Sequence, residues 1–92
     1  MFKAGTKYRT KSDIMAQIIA IAKDKPVTKT RISYDCFLSY DYLNECLKIM
    51  IKSGLLSNDN ETNNTYTATE KGLHYLELCT TLGKYANNNL IT

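Results

Sequence analysis

The sequence predicts a mainly α fold with one small β-hairpin, and three observations carry that prediction. Apolar residues recur at helical spacing in two stripes: Ile14, Ile18, Ile21 and Ala22, then Leu43, Leu47, Met50 and Ile51. A hydroxyl residue suited to capping stands before each stripe. After Gly54 the period shortens to that of β segments around NDNETNN, a run of turn formers. With 92 residues, the chain makes one domain with a small core.

The first helix is expected over about residues 12–24. Thr10-Lys11-Ser12-Asp13 supplies its start, and Pro26, which lacks an N–H and clashes with the preceding turn, ends it. Thr28 caps a short second helix through Tyr34 with Ile32 turned inward, and Asp35-Cys36-Phe37-Leu38 makes the turn. Ser39 caps the third helix, and Gly54 provides its left-handed stop. Two helices joined by so short a turn form a helix-turn-helix. Leu55-Leu56-Ser57 and Thr65-Tyr66-Thr67 then pair as the hairpin. A last helix starts near Thr67 or Thr69, where Thr67-x-x-Glu70 fits a capping box, and runs to about Tyr85 before the polar ANNNLIT. This order is that of a winged helix-turn-helix plus C-terminal helix. Its parts are a basic N-terminal arm (1–11), the winged helix-turn-helix domain (12–68), a C-terminal dimerisation helix (69–86) and a polar tail (87–92).

Composition excludes several classes. At 43% hydrophobic and 23% charged the chain is ordinary for a globular protein, and its apolar runs fall short of the roughly 18–20 residues of a membrane span. The N-terminal MFKAGTKYRTKSD has no apolar run or cleavage site of a signal peptide, which predicts a cytoplasmic chain without a membrane partner. Cys36, Cys46 and Cys79 are widely spaced and odd in number, so they read as small apolar core residues rather than a disulfide framework or zinc knuckle. His74, at i+4 from Glu70, is the only histidine, too little for a tetrahedral metal site with Cys79. No nucleophile elbow, phosphate loop or paired-carboxylate arrangement occurs, so the expectation is no enzyme, no cofactor and no small-molecule ligand.

Charge is unevenly placed. Residues 1–31 hold eight lysines and arginines against two aspartates, whereas the remainder has four lysines against seven acids. The surplus points to an anionic partner for the first third of the chain. On the third helix Asp41, Glu45, Lys48 and Lys52 lie opposite the core stripe, with Asn44 and Tyr40 to one side. Recognition helices usually reach bases with their N-terminal residues. Two acids there repel phosphates, which makes Asn44 the better base reader, while Glu45 can pair with Lys48 at i+3. The wing tip carries Asp59 and Glu61 and no Lys or Arg. Tyr8, between Lys7 and Arg9, suggests stacking on single strands, but Tyr34 and Tyr66 read as core or core-edge residues.

From Arg9 to Leu82 the chain resembles archaeal winged-helix regulators. The likeness is carried by Thr28-Lys29-Thr30 with Ile32 and Tyr34, Leu38-Ser39-Tyr40 with Leu43 and Leu47, Gly54-Leu55-Leu56, Tyr66, and Thr69-Glu70-Lys71-Gly72. It is similar to the ten-kilodalton chromatin-associated proteins of crenarchaea, in which a C-terminal antiparallel coiled coil makes a dimer. That resemblance implies double-stranded DNA binding by a homodimer in transcription or chromatin. The candidate DNA-binding residues are then Lys7, Arg9, Lys11, Lys29, Thr30, Arg31, Ser39, Tyr40, Asn44 and Lys48. In the last helix Leu73 and Leu76 are expected on the domain's core. Tyr75, Leu78, Leu82 and Tyr85, spaced 3, 4, 3 with Cys79 beside them, form the expected dimer seam. The alternative is a winged-helix protein-interaction module whose mixed-charge third helix meets a protein.

Overall fold

The computed structural model describes residues 9–59 and 64–91. Its elements are α1 (Lys11–Ala22), β1 (Val27–Thr28), α2 (Lys29–Cys36), α3 (Tyr40–Lys52), β2 (Leu56–Asp59), β3 (Thr65–Ala68) and α4 (Glu70–Ile91). The expected class is thus present: a mainly helical winged helix-turn-helix.

Helix α1 begins with a reciprocal capping box. Thr10 Oγ1 accepts the Asp13 N–H at 3.1 Å and Asp13 Oδ2 accepts the Thr10 N–H at 3.0 Å. The helix ends at Ala22, earlier than expected. It buries Ile14, Ile18, Ile19 and Ala22, while Ile21 is only partly covered. The stripe is broader than the sequence suggests because α1 is packed against α2, α4 and β3 together.

Helix α2 is capped by Thr28, whose Oγ1 accepts the Arg31 N–H at 3.2 Å. It continues through Cys36 instead of stopping at Tyr34. Phe37 then takes the left-handed conformation (φ 56°) and donates its N–H to the Ser33 carbonyl. The Ser33 Oγ donates to the Leu38 carbonyl at 2.7 Å, closing the turn. Tyr34 is not a core residue, being 79% exposed. Ile32 and Cys36, four apart, occupy the inward face, and Tyr34 midway between them points away.

Ser39 caps α3 through the Tyr42 N–H at 3.3 Å. The buried stripe is Leu43, Cys46, Leu47 and Met50. Ile51, expected in the core, is instead exposed on the flank of α3, its inward place taken by Cys46. Gly54 provides the left-handed stop (φ 82°), with Leu55 N–H reaching back to the Met50 carbonyl at 2.8 Å.

The wing is part of a three-stranded antiparallel sheet in the order β1-β3-β2. Strand β1 is additional to the expected hairpin; it pairs Val27 with Tyr66 and Thr28 with Thr65. Val27, Leu56 and Tyr66 turn into the core. Glu61, half of the expected acidic wing tip, lies outside the described residues.

Helix α4 is capped by Thr69 rather than Thr67, which lies in β3. Thr69 Oγ1 accepts the Gly72 N–H at 3.0 Å and donates to the Gly54 carbonyl. The helix continues to Ile91, through most of the stretch expected as a polar tail. Tyr75 and Leu76 pack at the edge of the core, whereas Leu73, expected inward, is exposed. Cys36 and Cys46 are buried and Cys79 partly so. Burial pushes the Cys36 thiol up to about 11. Among the described residues no helix is long and apolar enough to cross a membrane.

Candidate nucleic-acid interface

Pairing of β1 with β3 sets the start of α2 beside the wing, and this places Lys29, its first residue, next to α3. A groove of about 630 Å³ opens there between α3 and the sheet. Lys29, Lys48 and Lys52 stand around it, with the amides of Asn44 and Asn58 between them. Its floor is apolar, formed by Leu47, Ile51 and Tyr66. Asn58 Nδ2 is occupied, donating to Asn64 Oδ1 at 2.9 Å and to the Thr65 carbonyl at 3.1 Å, which ties β2 to the start of β3. Asn44 is exposed and makes no side-chain hydrogen bond among the described residues. Three ammonium groups around one free amide suit a polyanion with hydrogen-bonding edges.

The first turns of α2 and α3 are joined. Tyr40 Oη and Thr30 Oγ1 are 2.8 Å apart, and Lys29 Nζ lies 6.0 Å from the Tyr40 ring centroid. Lys29, Thr30, Tyr40, Asn44 and Lys48 are therefore brought together. Lys52 joins them, although it is not among the residues expected from sequence. Its spacing, Asn44, Lys48, Lys52 at i, i+4, i+8, is a signal the sequence contains.

The remaining candidates lie apart from the groove or are otherwise engaged. Lys7 falls outside the described residues. Arg9 Nη1 donates to Gln17 Oε1 at 2.6 Å and to the Cys36 carbonyl at 2.9 Å, which ties Arg9 to α1 and to the C-terminal end of α2. Arg31 Nε donates to Asp35 Oδ2 at 2.7 Å, and this bond raises the guanidinium above its ordinary value. Lys11 is exposed at the start of α1, and Ser39 serves as the α3 cap. Glu45 and Lys48 form no ion pair among the described residues. The outer face of α3 thus has Asp41 and Glu45 in its first half and Lys48 and Lys52 in its second, the order that favours the helix dipole.

On α4, Leu78 is 51% exposed, while Tyr75 and Cys79 are partly covered. The side chains of Leu82 and Tyr85 lie outside the described residues. His74 Nδ1 is 3.9 Å from Glu77 Oε1, both exposed. No group of three or more His, Cys, Asp or Glu fit for a metal occurs among the described residues.

A family model described as winged helix-turn-helix matches residues 8–87. No curated protein matches the sequence. Among solved structures, the multiple antibiotic-resistance repressor MarR of Listeria monocytogenes is similar, with a TM-score of 0.62 at 13% identity over 82% of this chain and 58% of its own. Lactococcus lactis ZitR in complex with DNA gives a TM-score of 0.62 at 17% identity, covering 90% of this chain and 62% of its own. A MarR family regulator of Neisseria meningitidis gives 0.62 at 14% identity, covering 95% and 63%. The chain spans about three-fifths of the length of these structures, and at such identities the likeness is one of fold.

Proposed function

Because the chain belongs to the winged helix-turn-helix family, we propose that it binds double-stranded DNA as a homodimer, as a transcription regulator or chromatin component. The observation that carries this reading is the convergence of Lys29, Lys48 and Lys52 on Asn44 in one groove. Each lysine that meets a phosphate releases condensed counterions, which supplies affinity independent of sequence. Asn44 supplies selectivity, since its amide can pair with adenine N6 and N7. The duplex meets α3 along the edge of Asn44, Lys48 and Lys52 that borders the groove, because Asp41 and Glu45 repel phosphates from the rest of its outer face. Lys11, exposed at the start of α1 away from the groove, and Lys7 of the basic arm are proposed as further phosphate contacts. DNA in the ZitR complex supports the class of partner. The resemblance of its sequence to crenarchaeal chromatin proteins favours an architectural role on the nucleoid of the cytoplasm.

The dimer forms through α4. Leu78 presents an exposed apolar side chain on the 3, 4, 3 seam of Tyr75, Leu78, Leu82 and Tyr85. Sedimentation at high micromolar concentration tests this: a monomer removes it, and Leu78→Glu with Leu82→Glu dissociates a real dimer.

The DNA reading is tested by anisotropy titrations of duplex and single-stranded DNA over a salt series. Preferred duplex binding with log affinity falling linearly in log salt supports it. A second reading, docking to a protein, is favoured by Tyr34 and Phe37, aromatic side chains 79% and 86% exposed near the acids of α3 in sequence. Absence of salt-dependent DNA binding selects it.

A further inference from the structure

We propose that Tyr40 is a positioning residue for the phosphate contact: it acts through Lys29 and Thr30 and holds the Lys29 ammonium at the groove without neutralising it. This assignment rests on the groove being the DNA-binding surface. It gives Tyr40 a role other than touching bases.

Tyr40 opens α3 and Lys29 opens α2, eleven positions apart in sequence. They meet because the turn at Phe37 folds α3 back across α2, while β1 holds the start of α2 against the sheet. The phenol oxygen is bonded to Thr30 Oγ1 at 2.8 Å, and this bond fixes the ring. The ring in turn lies 6.0 Å from Lys29 Nζ, at the outer reach of a cation–π contact. Lys29 is partly covered and Tyr40 is 48% exposed, so the pair sits at the surface with its outer side open to a ligand.

A free lysine on a flexible stem samples many directions and loses that freedom on binding. An aromatic ring can restrict it while leaving the ammonium donors available to a phosphate. A carboxylate would restrict it too, but would cancel its charge. The same helix displays that alternative: Arg31, two residues on, is paired with Asp35 at 2.7 Å. Among the described residues Lys29 forms no ion pair, so it is the cation of α2 that keeps its charge for a partner, and Tyr40 is what orients it.

The test is a double-mutant cycle read by duplex binding over a salt series, with thermal melts checking that each variant is folded. Lys29→Ala should lower the slope of log affinity against log salt by about 0.9 per subunit. Tyr40→Leu should weaken binding about two- to fivefold per subunit, and in the Lys29→Ala background it should cost nothing more. Tyr40→Phe, which keeps the ring but loses the bond to Thr30, should bind with an affinity between those of the wild type and Tyr40→Leu. If Tyr40→Leu fails to fold, Tyr40→Gln carries the same expectation at this half-exposed position. Equal losses from the Tyr40 change in both backgrounds overturn the positioning role and leave the groove reading intact. A wild-type affinity indifferent to salt overturns both.

Discussion

Replacing Gly72 by alanine should destabilise the protein although alanine is the better helix former. A Cβ built at Gly72 falls 2.2 Å from the Leu55 carbonyl oxygen and 3.2 Å from its carbon, roughly 1 Å inside ordinary contact. The obstacle is backbone, so no side-chain rotation relieves it. Leu55 O also accepts the Thr69 N–H at 3.2 Å, and Thr69 caps α4 while donating to the Gly54 carbonyl. Lifting α4 to admit a methyl group therefore loosens the cap as well. Overpacking costs about 1–3 kcal/mol and loss of a cap about 1 kcal/mol, against a gain of about 1 kcal/mol in helix propensity. The net is a loss of about 1–3 kcal/mol, and for a domain of this size each 1 kcal/mol lowers Tm by about 4–8 °C. Thermal unfolding followed by circular dichroism measures it. A variant that melts at or above the wild-type temperature would refute the reasoning, because α4 would then not be seated on Leu55. In the proposed dimer that seat also sets where the partner subunit stands.

Four further outcomes follow from single sites. Arg9→Ala should cost about 1–2 kcal/mol by removing its bonds to Gln17 and to the Cys36 carbonyl, yet leave the salt slope of DNA binding unchanged, which titrations below its Tm will check. Phe37→Asn should raise Tm by a few degrees, since asparagine tolerates the left-handed backbone at φ 56° and the side chain it replaces is 86% exposed. Cys79 should react with a thiol reagent at neutral pH well before Cys36 and Cys46, which burial keeps protonated. The Cys36 thiol has its value raised to about 11 in the fold, so the stability it contributes is complete below about 9 and is lost as pH rises through 11. Urea midpoints across that range should fall, and should fall less in Cys36→Ser relative to its own starting value.

What the sequence reveals is mostly local. Thr10, Thr28 and Ser39 announce three helix starts because a capping hydroxyl acts within three residues of itself. Gly54 marks its stop for the same reason, a backbone angle that glycine accepts freely. The stripe of α3 is readable except at its edges, where Cys46 takes the place of Ile51. Non-local pairing is invisible. Val27 and Thr28 become a strand only because Tyr66 and Thr65 arrive beside them from far along the chain. The end of α2 lies beyond the expected one because Phe37, a residue that seldom takes the left-handed conformation, fills the role usual for glycine. The site divides in the same way. Asn44 and Lys48 follow from the helical wheel, while the commitment of Arg9 to a carbonyl of α2 depends on the end of α2 arriving beside it from 27 residues along the chain. Gly72 is intelligible only with Leu55 in place against it.

The most direct measurement is the salt dependence of duplex binding by Lys29→Ala/Lys48→Ala/Lys52→Ala beside the wild type. Removing one phosphate-binding lysine should lower the slope by about 0.9, so the triple variant should fall by up to about 2.7 per subunit with affinity reduced for all sequences alike. Melting temperature should stay close to wild type, because none of the three lysines is fully buried. A triple variant that binds duplex DNA with the wild-type affinity and slope would contradict the groove as the site of DNA recognition.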